Sequence, residues 1–231
     1  MPERRAVLFD AGNTLLDLDY PYLAALAWRL GAPTTPDAVA AAGARLLRQA
    51  GATYGMVPPP ADADGVFLGS FTALGRAVGL PARAARTFAE AALAEDKRDP
   101  RGLWRLPAPG AAETLAALSA RGLLLGVVSN GDGHAEAHLR LAGLSPHLGV
   151  VVDSYDVGVE KPDPRIFHCA LQALGVPPAA ALHVGDLPPV DIAGAQAAGL
   201  RALLYDPWDA YADHAGARIH ALADVASHLQ G

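Results

Sequence analysis

Cysteine is nearly absent from this chain: Cys169 stands alone among 231 residues. No disulfide can close within it, which suits a reducing compartment. On a helical stretch that lone thiol is expected as a small buried side chain. Lysine is almost as scarce, with only Lys97 and Lys161 among 18 basic residues. A chain that writes its positive charge as arginine, yet keeps Lys161, points to a compact ammonium there. No basic run exceeds two or three residues and the formal net charge is −6. Nucleic acid and anionic membrane surfaces are therefore not expected partners. No apolar run approaches the roughly 20 residues of a membrane span, and the first residues carry no targeting pattern. The expectation is a cytoplasmic protein with no nucleic-acid or membrane partner, as a monomer or homodimer.

What the chain has in quantity is apolar residues, 52% of the total, enough for a sizeable core and against disorder. A short stretch over roughly residues 4–9, continuously apolar after Arg5, reads as a central parallel strand covered on both faces. From about 19 to 98, Ala, Leu and Arg recur at helical spacing between Pro33, Pro36, Pro58-Pro59-Pro60 and Pro81. Helices are predicted near 20–31, 36–52, 66–79 and 82–97, with Asp19 and Asp37 as helix caps. No β-rich run interrupts them.

After about residue 103 strands and helices alternate. Strands are predicted at Leu123–Ser129, Gly149–Asp153, Ala181–Gly185 and Arg201–Tyr205. Helices are predicted at His134–Ala142, Pro164–Leu174, Ile192–Ala198 and 220–229. The fold class is α/β: a Rossmann-like open parallel sheet with helices on both faces, plus an all-helical domain inserted after the first strand. The expected domains are a core of residues 1–17 and 99–231 and a helical insert of 18–98. Ligands of such sheets sit beyond the C-terminal strand ends. Asp10, Ser129, Lys161 and Asp186 all lie at or just after strand ends.

Four motifs then stand in order along the chain: Asp10-Ala11-Gly12-Asn13-Thr14, Ser129-Asn130-Gly131, Glu160-Lys161-Pro162 and Gly185-Asp186-Leu187-Pro188-Pro189-Val190-Asp191. In this order, with a helical insert between the first and second, the chain resembles the haloacid dehalogenase-like (HAD) hydrolase superfamily, and the insert resembles that family's helical C1-type cap. The resemblance implies a phosphatase that acts on a small phosphorylated metabolite. Asp10 would attack phosphorus and form an aspartyl-phosphate, splitting one displacement into two. Asp10, Asp186, the backbone carbonyl of Gly12 and, at or just outside the first shell, Asp191 would hold Mg²⁺. Lys161 would supply positive charge to the nucleophile and the phosphoryl oxygens, Ser129 with the Asn130 and Gly131 amides would cradle those oxygens, and Thr14 would orient the loop and bond near the nucleophile.

His183 reads as a packed core histidine. Tyr22, Trp28, Arg45, Arg48 and Tyr54 in the insert are read as packing or surface residues and are not assigned to the site. Asp191 could also cap the helix before Ile192.

Gly12 departs from the family's pattern. Phosphatase members carry an aspartate two residues after the nucleophile, which protonates the leaving group and then activates water; glycine cannot. The dehalogenase branch also lacks that aspartate, but it works without metal and its fourth motif loses acidity. Here Asp186 and Asp191 remain, and without a cation their repulsion with Asp10 would be costly. A metal-dependent phosphatase is therefore favoured over two alternatives, a metal-independent 2-haloacid dehalogenase and a low-activity phosphate-binding or regulatory protein. Asp17 reads as a solvated residue and Asp19 as a cap, so neither stands in for the missing acid. If Gly12 alone limits the chemistry, Gly12→Asp raises phosphatase turnover, by up to the roughly 10²–10⁴-fold of a placed acid/base. Steady-state kinetics on a folded, Mg²⁺-binding mutant check this, and no gain would mean that another group already moves the proton.

Overall fold

The computed structural model describes residues 5–52, 63–99 and 101–229. Arg4, Tyr54 and Pro58-Pro59-Pro60 lie outside the described residues. Two compact units form, Met1–Asp17 with Arg105–Gly231, and Leu18–Trp104.

The first unit is built on a six-stranded parallel sheet in the order β5-β4-β1-β6-β7-β8. Its strands are β1 (Ala6–Phe9), β4 (Leu124–Ser129), β5 (Val150–Asp153), β6 (Ala181–Gly185), β7 (Arg201–Tyr205) and the short β8 (Arg218–Ile219). β1 sits between β4 and β6 and is buried along its whole length. Its alternation assigns the two cores. Val7 and Phe9 join Val127, Val184 and Leu203 on one face, covered by α5 (Ala111–Ala120), α6 (Ala135–Leu141) and the segment Leu222–Leu229. Ala6 and Leu8 join Val128 and Val152 on the other, covered by α8 (Pro164–Leu174) and α9 (Ala193–Ala197). Both faces are apolar, which is why the strand reads as an unbroken apolar run.

Strand register places the chemistry. Phe9 pairs with Val127 on one side and Val184 on the other, and the Asp10 amide donates to the Val184 carbonyl (2.9 Å). Asp10 therefore emerges beside Val128 and Gly185, one residue short of Ser129 and Asp186. Ser129 pairs in turn with Asp153.

The second unit contains α1 (Tyr20–Arg29), α2 (Pro36–Ala52), α3 (Ala63–Ala77) and α4 (Ala82–Arg98). Leu23, Leu26, Phe71, Leu74 and Phe88 are at its centre. At the α3–α4 contact a Cβ on Gly75 would lie 3.1 Å from the Ala85 backbone and 3.2 Å from Phe88, so glycine lets the helices close. The described residues of this unit contain no strand beyond the ends of β2 (Leu16–Leu18) and β3 (Trp104–Pro107), which pair as a two-stranded ribbon. No helix of the described residues is long and apolar enough to cross a membrane.

Several local expectations are corrected. Asp19 caps α1 through the Tyr22 amide, but Asp37 lies inside the first turn of α2. The Thr35 hydroxyl, accepting from the Ala38 amide, is the cap there. Cys169 is exposed: the buried stripe of α8 runs through Ile166, Phe167, Ala170, Leu171 and Leu174 and passes it by. The helix expected at Ile192–Ala198 begins earlier with a π-helical turn at Pro188–Ile192. The terminal helix is a 3₁₀ segment, Leu222–Leu229, because the apolar spacing of Leu222, Val225 and Leu229 suits either winding. The helix α5 and the strands β2, β3 and β8 were not among the predicted elements.

Asp17 on β2 is half-buried rather than solvated, and burial pushes its carboxyl up to about 6. A raised carboxyl favours the folded state fully below its unfolded value of roughly 4, and that advantage is lost as pH rises through about 6. Asp17→Asn is expected to stabilise the protein at pH 7.5 by about 1–2 kcal/mol, allowing for partial exposure, and to change little at pH 4. Urea unfolding at the two pH values measures this.

Candidate active site

The loop after β1 is a tight turn around Ala11, whose carbonyl accepts the Leu15 (2.9 Å) and Leu16 (2.8 Å) amides. Asn13 takes the left-handed conformation (φ 56), whereas Gly12 is not among the residues with positive φ. The isolated parallel bridge between Gly12 and Leu16 runs through the Ala11 carbonyl and the Asn13 amide. The Gly12 carbonyl takes no part in it and stays available as a ligand. Thr14 is fully buried with an unpartnered hydroxyl. It fills the turn and makes none of the bonds near the nucleophile expected of it.

Lys161, only 2% exposed, reaches the end of β1. Its Nζ donates to Asp10 Oδ1 (2.5 Å) and to Asp191 Oδ1 (2.7 Å). Its backbone is fixed at the same time by the Asn130 side chain, which accepts from the Lys161 amide (2.7 Å) and donates to its carbonyl (2.9 Å). Asp191 is not the helix cap considered above. It lies within the π-helical turn, with Oδ2 accepting the Leu187 amide (3.0 Å) and Oδ1 accepting from His183 Nε2 (3.1 Å) as well as Lys161. A Cβ on Gly185 would come within 2.4 Å of the Asp191 carboxyl carbon. The glycine before Asp186 is thus what lets Asp191 lie against the strand.

Ligand atoms of Asp10, Asp186 and Asp191 lie within 4.8 Å of one another. Three carboxylates facing one ammonium leave a surplus of negative charge. Burial pushes the Asp10 carboxyl up to about 6, against the pull of Lys161 and with a push from Asp191. Burial, then the charges of Asp10 and Asp191, drive Asp186 well above the carboxylate range. Burial also acts upward on Asp191, but Lys161 and His183 outweigh it and hold that carboxyl far below its usual value. For Lys161 burial acts downward, and the attraction of Asp10 and Asp191 outweighs it. The unrelieved surplus is on Asp10 and Asp186. Hard oxygen donors with a deficit of positive charge fit Mg²⁺, and the Gly12 carbonyl can add a third protein oxygen.

The cradle is more elaborate than the motif implies. Ser129 is buried at the end of β4. The Gly131 amide is engaged by the Ser154 hydroxyl (3.2 Å), which also donates to the Gly131 carbonyl (3.3 Å). Asp153 accepts from the Gly133 (3.1 Å), Ala135 (3.2 Å) and Tyr155 (3.1 Å) amides. Ser129 and the main chain of Asn130 are therefore what remains to meet an anion, and Gly131 belongs to the scaffold. Asp153, Ser154 and His183 were missed as supports of the site. Their only signal is a polar residue where a strand or its end could have been apolar. In the helical unit Tyr22 donates to the Ala91 carbonyl (3.4 Å), while Trp28 and Arg45 are exposed.

The arrangement can present a buried carboxylate nucleophile to an electrophile, with an ammonium beside it and room for a dication. Comparison with known proteins agrees with such chemistry. The model of the haloacid dehalogenase-like hydrolases matches residues 4–199. The phosphoserine phosphatase of Thermus thermophilus is 43% identical over 135 residues, 58% of this chain and 51% of that protein. A 2-haloacid dehalogenase from Pseudomonas syringae pv. Tomato superposes with a TM-score of 0.59 at 28% identity, covering 98% of both chains. The HAD-hydrolase YfnB from Bacillus subtilis, bound to magnesium, superposes with a TM-score of 0.64 at 26% identity over 99% of this chain and 100% of its own. The matches span about half to three fifths of the length of the first curated relatives.

Mg²⁺ at about 100 times its dissociation constant is expected to stabilise the protein by about 2.7 kcal/mol. Asp186→Asn should lose that increment. Thermal unfolding with Mg²⁺ and with EDTA measures both.

Proposed function

The chain belongs to the haloacid dehalogenase-like hydrolases, and on that premise we propose that it is a Mg²⁺-dependent phosphatase of a small phosphorylated metabolite. The observation that carries the proposal is the surplus of carboxylate around Asp10: the half-buried Asp186 and the buried Asp191 beside it, with the Lys161 ammonium paired to Asp10 and Asp191. A metal-independent dehalogenase has no use for that surplus, which opposes ionisation of the nucleophile.

In this reading an Asp10 carboxylate oxygen forms a bond to phosphorus as the bond from phosphorus to the leaving oxygen breaks. Lys161 holds Asp10 ionised and offsets the charge that builds on the phosphoryl oxygens. Ser129 and the Asn130 amide receive those oxygens. Asp10, Asp186 and the Gly12 carbonyl, with Asp191 beside them, would hold Mg²⁺, which would supply positive charge against the phosphoryl group. Water then attacks phosphorus, releasing inorganic phosphate and regenerating the Asp10 carboxylate.

Gly12 has no side chain to protonate the leaving oxygen. Turnover then favours leaving groups that depart as stable anions, such as acyl phosphates or phenyl phosphates. The helical unit is proposed as the family's cap, the part that selects the substrate. The exposed Cys169 on α8, the one thiol of the sequence, fits a reducing cytoplasm.

Phosphate release from acetyl phosphate and p-nitrophenyl phosphate with Mg²⁺ tests the reading. The wild type is expected to turn over, more slowly as leaving-group basicity rises, and Asp10→Asn to fall to background. Equal activity in Asp10→Asn would sink the proposal. Chloride release from 2-chloropropionate in EDTA would move the protein to the dehalogenases, and phosphate binding without turnover would make it a binding protein.

A further inference from the structure

His183 is buried without trace of exposure in the middle of β6, whose other residues, Ala181, Leu182, Val184 and Gly185, are apolar or bare. It faces Leu8 across the β1–β6 register, and its ring meets Phe167 edge-on at 4.9 Å between centroids. For packing alone a leucine would serve. Burying an imidazole instead costs roughly 1–3 kcal/mol unless its polar atoms are bonded. Only one ring nitrogen is bonded, Nε2 to Asp191 Oδ1 (3.1 Å), while Nδ1 is buried without a partner. Asp191 Oδ1, which also accepts from Lys161, is the acceptor here, so Nε2 carries the hydrogen.

The oxygen that receives it is the one that receives Lys161 Nζ at 2.7 Å. With the Leu187 amide on Oδ2, Asp191 is gripped from three directions, by β6, by the turn after it and by Lys161. The lysine side chain has four rotatable bonds, so its ammonium stays where its partners hold it. One partner, Asp10, changes identity during turnover, since its carboxylate becomes an acyl phosphate. Asp191 is the partner that stays the same.

We propose that His183 is a positioning residue for phosphoryl transfer: it locks Asp191 so that Asp191 keeps the Lys161 ammonium in place while Asp10 is phosphorylated. The role in turnover rests on the phosphatase reading; the lock on Lys161 does not.

Two substitutions separate this from a purely structural histidine. His183→Leu keeps the bulk and removes the donor. His183→Gln carries an amide N–H to about the reach of Nε2. The first readout is the Lys161 ammonium itself. Because the chain has only two lysines, ¹⁵N-lysine labelling gives two side-chain signals, and Lys161→Met identifies the buried one. It is expected sharp in the wild type, shifted or broadened in His183→Leu and restored in His183→Gln. The second readout is kinetic. His183→Leu is expected to lower kcat by tenfold or more, the roughly 10–100-fold cost of removing an outer partner, with KM within about twofold. His183→Gln should recover most of the loss.

An unchanged Lys161 signal in His183→Leu would overturn the proposal whether or not the wild type turns over phosphate. Equal loss of signal in both variants, tracking an equal fall in thermal stability, would also overturn it in favour of simple packing. A perturbed signal rescued by glutamine, in a protein without phosphatase activity, would leave the lock standing and remove the phosphatase reading alone.

Discussion

An ammonium buried between two carboxylates organises this protein. Lys161 donates to Asp10 and Asp191 at 2.5 and 2.7 Å where almost no water reaches. Removing one member of such a cluster would leave an uncompensated charge in the interior, typically a loss of several kcal/mol. The neighbourhood is arranged accordingly. Asn130 fixes the lysine's main chain, His183 and the Leu187 amide fix Asp191, and the bare face of Gly185 makes room for that carboxylate. These residues come from β6, from the positions just past β1 and β4, and from the segments that carry Lys161 and Leu187–Asp191. The lysine charge is thus a junction through which the catalytic ends of the sheet are tied together.

The sheet makes this junction possible without long reaches. β1 is paired on both sides, so its register fixes the relative height of Asp10, Ser129 and Asp186 to within one residue. The next pairing, β4 with β5, brings Asp153 beside Ser129, and the Asp153 carboxylate there caps backbone amides at the starts of α6 and α7 (Ser154–Val157). Anchoring the loop this way leaves few backbone donors unassigned. An anion entering beside Ser129 meets a fixed framework, which lowers the reorganisation required as charge develops.

The sequence made the strand ends legible because a parallel strand covered on both faces is an unbroken apolar run that stops at its first polar residue. Asp10, Ser129 and Asp186 are such stops. The helices of the insert were legible because proline and capping residues punctuate alanine-rich periodicity. The short elements were not: β2, β3 and β8 are two to four residues long, too few to display a period. Cys169 was misplaced because a small residue gives no hint of which helix face it occupies. Asp37 was misread because Thr35, one residue before Pro36, offers an equally good cap. The support given by Asp153 and Ser154 depends on bonds to residues 131–135, 18 to 23 residues away, and that of His183 on Asp191 across the turn after β6, and no local pattern encodes those. The four chemical motifs were visible, while the side chains that brace them were not.

Gly12 is sharpened by the same geometry. A glycine retained for its backbone would occupy a left-handed turn, and here that conformation belongs to Asn13 instead. Gly12 is therefore not required by φ, and its carbonyl remains free of the bridge beside it. The charge-handling parts of the site are in place around a position whose side chain is missing. Asp191 cannot fill in as a base, since two donors already occupy one oxygen and an amide the other, and its carboxyl is held far below the range in which it would take up a proton. His183 cannot either, because it is sealed behind Asp191. Attack by Asp10 needs no proton transfer, whereas departure of a basic alkoxide and activation of water both do. On the proposed phosphatase reading, attack by Asp10 is provided for, whereas protonation of a basic leaving oxygen and activation of water find no dedicated acid or base among the described residues of the first unit.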